Sequence, residues 1–285
     1  MKTIRLLYPD FAGGGLETYW FGAHLLAHIL PPNEAQPLVR VDIDPPDGSA
    51  GTITDGIHAK DQILRGIRDA AQKIRAANPD RIITIGGNCL VSQAPFDYLH
   101  GKYERTGIIW IDAHPDVSTP ADGYPNAHAM VLASLLGCGD ASLTSLREHP
   151  PFGPEDILYV GLQELHAYQR AFLDDHGVPY RVQTSGFVTD SEIAAFMARF
   201  DHLLVHLDID VLDERLFHST YFANPALTGD GSGGGKMTME HLAGILHRIT
   251  EEADVVGFTI AEYLPFDAHR LRTLFAGLNL FTRPA

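Results

Sequence analysis

Cysteine and positive charge are both scarce in this sequence. Only two cysteines, Cys89 and Cys138, occur among the 285 residues. Two are too few for a scaffold held together by disulfides, and they favour a protein of the reducing cytoplasm. Lysine and arginine number 21 against 36 aspartates and glutamates, a formal net charge of −15. Because nucleic acids and anionic membranes bind basic surfaces, this balance argues against both as partners.

Long hydrophobic runs are also missing. No stretch of about 18 or more apolar residues occurs, so no membrane-spanning helix is expected. The first residues, MKTIRLLYPDF, lack the apolar core and the small-residue cleavage site of a secretory signal. The hydrophobic fraction of 45% is ordinary for a globular protein. We expect a single α/β domain that spans residues 1–285.

Short apolar runs recur along the chain with helical stretches between them. Several runs are apolar on both faces, as are the strands of a parallel sheet that helices cover. We therefore predict a three-layer α/β/α fold around a central, mostly parallel sheet of about eight strands. The predicted strands cover residues 4–8, 37–43, 81–87, 107–114, 156–162, 178–183, 202–210 and 254–263. The predicted helices cover residues 56–77, 126–137, 190–200, 238–252 and 267–281.

A glycine-rich segment, NPALTGDGSGGGKMT, covers residues 224–238. It lies between a predicted strand and the helix that follows, which favours a long active-site loop over a flexible linker. Lys236 is followed by Met237, so the segment lacks the Gly-Lys-Ser/Thr ending of a phosphate-binding loop.

Polar residues follow several predicted strands, at the sheet edge where open α/β proteins bind their ligands. They are Cys89 after the third strand, Asp112, His114 and Asp116 at the fourth, Asp208, Asp210 and Asp213 at the seventh, and Glu262 in the last. Taken alone, Cys89 is best explained as a small apolar residue of the core. In this company it lies beside a set of candidate metal ligands.

The spacing of the aspartates and the histidine favours a metal centre. Residues two apart on a strand share a face, so Asp112 can lie beside His114, and Asp208 beside Asp210. Clustered carboxylates raise one another's pKa unless a cation lies among them. One imidazole with several carboxylates suits a hard or borderline divalent metal, and bridging carboxylates hold two such ions roughly 3.5–4 Å apart. A single aspartate after a strand is usually a turn former or helix cap, but two separate D-x-[HD] motifs favour metal binding.

Five motifs resemble those of the ureohydrolases, the family of arginase, agmatinase, guanidino-acid amidinohydrolases and formiminoglutamase. DAHPD (112–116) resembles the family's D-A-H-x-D, and HLDIDVLD (206–213) resembles S-x-D-x-D-x-x-D. GFTIAEYLP (257–265) resembles G-x-x-x-x-E-x-x-P, NAHAM (126–130) resembles an Asn-x-His stretch, and IGGNC (85–89) falls at I-G-G-D/E/G-H. The resemblance implies the α/β fold that arginases share with deacetylases.

The resemblance also implies a binuclear manganese site and the residues that hold it. These are Asp112 and Asp208 as bridges between the ions, His114 and Asp210 at one ion, and Asp116 and Cys89 at the other. The metals lower the pKa of a bridging water, whose hydroxide attacks a guanidinium or amidine carbon. The resemblance further implies that His128 transfers protons and that Glu262 holds the guanidinium-type group through charge-assisted hydrogen bonds.

Cys89 departs from the family pattern, because the family has a histidine ligand at this position. Three interpretations remain open. Cys89 ligates as a thiolate, which favours softer ions such as Zn²⁺ or Fe²⁺ over Mn²⁺. Alternatively it does not ligate, so that the chain holds one Mn²⁺ rather than two, or the site has lost catalysis altogether. Relatives that hydrolyse N-hydroxylated arginine also have a non-histidine residue here, so the resemblance is compatible with activity.

The residues aligned with substrate-binding positions depart as well. Arginases place acidic and small polar residues around the α-amino and α-carboxylate groups. Here the aligned positions are His166, Gln169 and Ser118, with Tyr124 at a further position that needs an alignment gap. The expected substrate is therefore a guanidino or amidino compound with a tail other than that of L-arginine, or a compound like N-hydroxyarginine.

Two other function classes stand beside this amidinohydrolase. One is a catalytically degenerate, ureohydrolase-like protein that binds a ligand or acts in regulation. The other is a deacetylase-like hydrolase with a single zinc, against which the paired aspartates of DIDVLD and the Glu262 motif argue. The family resemblance further implies a homotrimer or homohexamer with a small-molecule substrate.

Overall fold

The structure is a computed structural model that describes residues 1–49, 51–227, 229, 231–278 and 280. The strands are β1 Thr3–Tyr8, β2 Leu38–Arg40, β3 Ile53–Thr54, β4 Ile57–His58, β5 Arg81–Gly86, β6 Thr106–Ile111, β7 Ile157–Val160, β8 His202–Asp208 and β9 Val255–Ala261. The helices are α1 Thr18–Ile29, α2 Lys60–Ala77, α3 Gln93–Lys102, α4 Val131–Leu135, α5 Ala141–Thr144, α6 Ala167–Asp175, α7 Asp190–Met197, α8 Met239–Glu252 and α9 Phe266–Ala276. None of the helices described is long and apolar enough to cross a membrane.

The central sheet contains seven strands in the order β2-β1-β5-β9-β8-β6-β7. Each neighbouring pair is parallel, whereas β3 and β4 form a separate antiparallel hairpin. The three-layer α/β fold is therefore confirmed. Since strand order and chain order differ, β5, β9, β8 and β6 lie side by side at the centre, and their carboxyl ends meet at one edge.

One predicted strand, residues 178–183, is wrong and accounts for the difference between about eight strands and seven. This segment runs past the outer edge of β7 without joining the ladder. Gln183 makes the contacts instead: its Nε2 donates to Tyr159 O and its Oε1 accepts from Gly161 N, both at 3.0 Å, and its backbone N–H donates to Leu162 O at 2.7 Å. The alternating pattern of VPYRVQ fits an edge position, but a side-chain amide takes the place of a backbone ladder.

Helices cover both faces of the sheet and create two buried apolar clusters. One cluster joins Ile4 and Leu6 of β1 to α2, α3 and α4. The other joins Leu7 of the same strand to α1, α7 and α8. Alternate residues of β1 thus enter opposite layers, as the two-residue period of a strand requires. With both faces covered, every residue of β6 is buried.

The predicted helices differ from the structure mainly at their ends. Helix α2 begins at Lys60 rather than residue 56, because the preceding residues form the hairpin. The predicted helix 126–137 divides into a 3₁₀ turn, Ala127–Met130, and the short α4. Thr238 caps α8, with its hydroxyl accepting from His241 N at 3.2 Å. Helix α9 ends at Ala276, and residues 279 and 281 lie outside the described residues.

Candidate metal centre and substrate cavity

The candidate ligands meet at the carboxyl edge of the sheet. Asp112 follows β6, Asp208 ends β8, Glu262 follows β9, and Cys89 begins a 3₁₀ turn soon after β5. Because these four strands are neighbours, residues more than 150 positions apart in sequence come into contact: Cys89 and Glu262 lie 3.4 Å apart, between Sγ and Oε1. All four side chains are almost completely buried.

Tight turns after β6 and β8 aim several carboxylates at one point. Asp112 Oδ1 accepts from the backbone N–H of His114, and Asp208 Oδ1 accepts from that of Asp210, both at 2.7 Å. His114 Nδ1 then lies 3.1 Å from Asp210 Oδ2 and 3.5 Å from Asp112 Oδ1. Separations of this size are those expected between the ligand atoms of one metal ion.

Two site residues adopt the left-handed backbone conformation that favours glycine. Asp116 has φ 51° and Glu262 has φ 62°. Such positions cost about 1–3 kcal/mol each and persist where the surroundings fix the chain. For Glu262 the fixing contact is its N–H, which donates to Gly87 O at 2.8 Å. The strain turns both carboxylates toward the cluster rather than into the sheet.

Cys89 lies in the cluster. Its thiol donates to Asp208 Oδ2 at 2.8 Å, and its side chain is buried. Burial, and then the charge of Asp116, raises the pKa of Cys89 well above its usual value, so the thiol is protonated while no cation is near. The contact also shows that Cys89 points toward the carboxylates.

Glu262 is at the centre of a second set of polar contacts. His128 Nδ1 lies 2.6 Å from Glu262 Oε1, and the hydroxyl of Tyr19 donates to Glu262 Oε2 at 3.0 Å. On its other side, His128 Nε2 lies 2.9 Å from the hydroxyl of Tyr124. Helix α1 supplies Tyr19, whereas the segment before α4 supplies His128. His128 and Glu262 were predicted from the sequence, whereas Tyr19 was not, since no local pattern links a helix near the N-terminus to β9.

A third group, also missed from the sequence, lies beneath Asp112. His206 is fully buried in β8 and stacks on Trp110 of β6, with ring centroids 3.7 Å apart and planes 7° apart. Trp110 Nε1 donates to Asp112 Oδ2 at 3.0 Å, and Ser92 Oγ lies 2.8 Å from His206 Nδ1. A possible signal was present in the sequence, because His206 precedes Asp208 by two residues and therefore shares its face.

Unsatisfied polar atoms within this cluster match the needs of cations. Four buried atoms have no hydrogen-bond partner among the described residues: His114 Nε2, Asp116 Oδ2, Asp210 Oδ1 and His206 Nε2. Burial, and then the charge of Asp210, raises the pKa of Asp112 to about 7. The pKa of Asp208 is likewise raised by burial and by its acidic neighbours. A divalent ion would reverse both costs, so the residues present suit metal binding.

Ligand atoms within 4.8 Å of one another define several overlapping groups in the described residues. They are Cys89, Asp112, Asp116 and His206; Asp112, His114 and Asp210; Asp208, Asp210 and Glu262; and Cys89, His128 and Glu262. Asp112 belongs to two groups that have no other member in common. The arrangement can therefore accommodate two neighbouring ions with Asp112 between them.

A cavity of about 380 Å³ opens over this cluster. Its inner wall includes Glu262, His128 and the carboxylates, and its outer wall includes Ser118 and Gln169. His166 is not among the described residues that line the cavity. Its Nε2 lies 3.1 Å from Oγ of Ser232, and Ser232 does line the cavity. Of the four residues aligned with substrate-binding positions, Ser118, Tyr124 and Gln169 thus line the cavity, whereas His166 contacts a residue that lines it.

Comparison with known proteins identifies the family. The model of the Arginase family matches residues 38–283, which is most of the chain. The chain therefore belongs to the arginase family, and the resemblance inferred from the motifs is confirmed.

Individual relatives match over shorter segments. Arginase from Bacillus caldovelox is 30% identical over 186 residues, which cover 60% of this chain and 62% of that protein. Arginase from Entamoeba histolytica is 34% identical over 113 residues, covering 38% and 37%. The chain thus spans less than two thirds of the length of these relatives. The crystal structure of the Entamoeba histolytica arginase with L-ornithine has a TM-score of 0.72 at 20% identity and covers 93% of both chains.

Proposed function

We propose that this chain is a metal-dependent amidinohydrolase that hydrolyses a linear C–N bond in a guanidino or amidino compound. The observation that carries this proposal is the position of Glu262. Its carboxylate lines a cavity of about 380 Å³ beside His114, Asp208 and Asp210. A planar cationic group bound to Glu262 would hold its central carbon near the metal centre. Membership of the arginase family supports the same reaction class.

The proposed metal ligands are those that the sequence predicts. They are Asp112 and Asp208 between two ions, His114 and Asp210 at one, and Asp116 and Cys89 at the other. Bound divalent ions, for which we propose Mn²⁺ in at least one position, supply Lewis acidity that lowers the pKa of a water near the substrate. Three of the unsatisfied buried atoms, His114 Nε2, Asp116 Oδ2 and Asp210 Oδ1, belong to these residues and support this assignment.

The protein's own groups bind the substrate and move protons. Glu262 accepts charge-assisted hydrogen bonds from the guanidinium, and Tyr19 holds that carboxylate in place. His128, between Glu262 and Tyr124, is within reach of both the substrate and the cavity mouth. We assign it the transfer of a proton to the leaving nitrogen.

The outer cavity favours a substrate with an uncharged polar tail. The described side chains that line it away from the metal centre are neutral, among them Ser118, Tyr124, Asn126 and Gln169. None of these offers the carboxylate that a free α-ammonium group needs for a strong ion pair. We include N-hydroxyguanidines with a neutral tail among the proposed substrates.

A substrate screen with a matched variant tests the proposal. Purified protein loaded with Mn²⁺ is incubated with guanidino and amidino compounds, and release of urea, hydroxyurea or ammonia is measured. We expect turnover of at least one compound, and a loss of about 100-fold or more in Glu262→Gln, since a charge-assisted pair is replaced by a neutral one. Absence of turnover with every compound, in protein shown to contain metal, would overturn the proposal.

A catalytically degenerate ligand-binding protein is the second candidate, and the cysteine at position 89 favours it. Metal analysis separates the two. The amidinohydrolase retains divalent metal after dialysis, whereas a degenerate site remains nearly free of metal even after Mn²⁺ is added in excess.

A further inference from the structure

The histidine at position 206 has a buried nitrogen that the fold does not satisfy. Stacking on Trp110 accounts for the orientation of its ring, and Ser92 is the hydrogen-bond partner of its Nδ1. Neither contact involves Nε2. This atom is buried, has no hydrogen-bond partner among the described residues, and lies 3.8 Å from Asp112 Oδ2. A buried nitrogen without a hydrogen bond costs about 1–3 kcal/mol, so a core role alone leaves this atom unexplained.

The state of the imidazole suits a metal ligand. Its Nδ1 lies 2.8 Å from Ser92 Oγ, whereas its Nε2 has no hydrogen-bond partner among the described residues. When Nδ1 carries the proton and donates it to Ser92, Nε2 presents its lone pair to the cluster. A hydrogen bond on the distal nitrogen is the usual way in which proteins orient a ligating histidine.

The surroundings of Nε2 complete the set. Its nearest potential ligand atoms belong to Cys89, Asp112 and Asp116, all four lying within 4.8 Å of one another. Trp110 orients two members at once, because its Nε1 donates to Asp112 while its ring stacks on His206. The motif pattern S-x-D-x-D has serine where this chain has His206, and I-G-G-D/E/G-H has histidine where it has Cys89. The imidazole that the family pattern places after β5 is thus absent at Cys89, and a different imidazole is present in β8 at His206.

We propose that His206 is a metal ligand and that the centre has two chemically different halves. One half comprises Cys89, Asp112, Asp116 and His206 and takes a softer ion, for which Zn²⁺ is the ion used in the test. The other is built on Asp112, His114 and Asp210 and takes a harder ion such as Mn²⁺. Thiolate and imidazole select zinc over manganese, whereas a carboxylate-rich set accepts manganese. This inference rests on the proposed metal centre and deepens it.

The proposal predicts a zinc site in which sulfur and imidazole are both ligands. The protein is dialysed against Zn²⁺ and Mn²⁺ together, metal content is measured, and X-ray absorption is recorded at the zinc edge. We expect about one zinc and one manganese per chain, with sulfur and imidazole both bound to the zinc. Among the described groups, Cys89 can share an ion with His206 or with His128, so the zinc edge is also recorded for His128→Gln, where we expect sulfur and imidazole to be retained.

A pair of variants separates ligation from packing. His206→Gln is compared with His100→Gln, whose ring also stacks on an aromatic residue, Phe152 at 3.9 Å, and also bonds to a hydroxyl, Thr106 Oγ1 at 2.6 Å. Thr106 begins β6, so His100 lies at the opposite end of the sheet from the cluster. We expect zinc affinity to fall by at least about 10-fold in His206→Gln and to stay unchanged in His100→Gln.

The outcomes are distinct. Zinc bound with sulfur but no imidazole, zinc bound with imidazole but no sulfur, or manganese in both positions would overturn the proposal while leaving the amidinohydrolase intact. A chain that binds neither metal would overturn both. If His206→Gln does not fold, the zinc edge of His128→Gln still decides: sulfur with imidazole in that variant leaves His206 as the histidine beside Cys89, and loss of the imidazole there would overturn the proposal.

Discussion

Glu262 is oriented by a residue from the other end of the chain. Tyr19, in α1, is buried, and its hydroxyl donates to the carboxylate oxygen that His128 does not contact. Burial, followed by the charge of Glu262, raises the pKa of Tyr19 well above its usual value, so the phenol stays a donor at any working pH. Glu262 thus keeps its charge directed at the cavity.

Removing this donor tests the positioning role. In Tyr19→Phe we expect kcat/KM to fall by about 10- to 100-fold, because a hydrogen bond to a charged group contributes about 1.5–3 kcal/mol. KM should change more than kcat, since the contact orients the binding group. Tyr103→Phe, which removes a hydroxyl that donates to Asp80 O at 2.9 Å, is the control and should leave both constants unchanged. Unaltered kinetics in Tyr19→Phe would contradict the role.

At the scale of elements, α1 reaches Glu262 through a close approach of two backbones. A Cβ added at Gly22 would lie 1.9 Å from Tyr263 O, in the segment directly after Glu262. Only glycine allows the helix to pack so near the end of β9. The contact keeps the hydroxyl of Tyr19 within hydrogen-bonding distance of Glu262.

Two glycine substitutions in helices should therefore have opposite effects. Gly22→Ala places its methyl group against backbone, so we expect the free energy of unfolding to fall by about 1–3 kcal/mol. Gly244→Ala lies in α8 with no atom within 4 Å of the added Cβ, and we expect a gain of about 0.5–1 kcal/mol. Urea denaturation measures both. Equal effects of the two substitutions would show that the approach of α1 is not tight.

Elements that repeat a local pattern could be predicted, and those that depend on distant contacts could not. The D-x-H and D-x-D motifs were assigned correctly to strand ends because apolar runs precede them and side chains alternate with a period of two. Helix α1 was missed because it begins without a side-chain cap and carries apolar residues on several sides. His206 was missed because its partner Trp110 faces it only through the register of β8 with β6, which the sequence alone does not specify.

For the molecule as a whole, we expect the buried carboxylates to make stability depend on metal. Without a cation they are desolvated and repel one another, which raises the pKa values of Asp112, Asp116 and Asp208. An ion that binds only the folded state adds about 2.7 kcal/mol when its concentration is 100 times the dissociation constant. Folding and metal loading are therefore expected to be linked.

Calorimetry measures this linkage. We expect the Tm to rise on addition of Zn²⁺ or Mn²⁺ to protein freed of metal, and to return to the lower value when EDTA is added. The shift should grow with the logarithm of metal concentration. A Tm that is the same with and without metal would contradict a cation site in this cluster.

The cytoplasmic location and the homotrimer or homohexamer stay predictions.

Gln183 has a consequence for molecules that meet at high concentration. An outer strand with free backbone groups is a template on which another copy can add its own strand, the first step of β-aggregation. Two of those groups, Tyr159 O in β7 and Gly161 N just after it, are already bonded to the side-chain amide of Gln183. In the folded chain this glutamine thereby hinders intermolecular pairing at this border of the sheet.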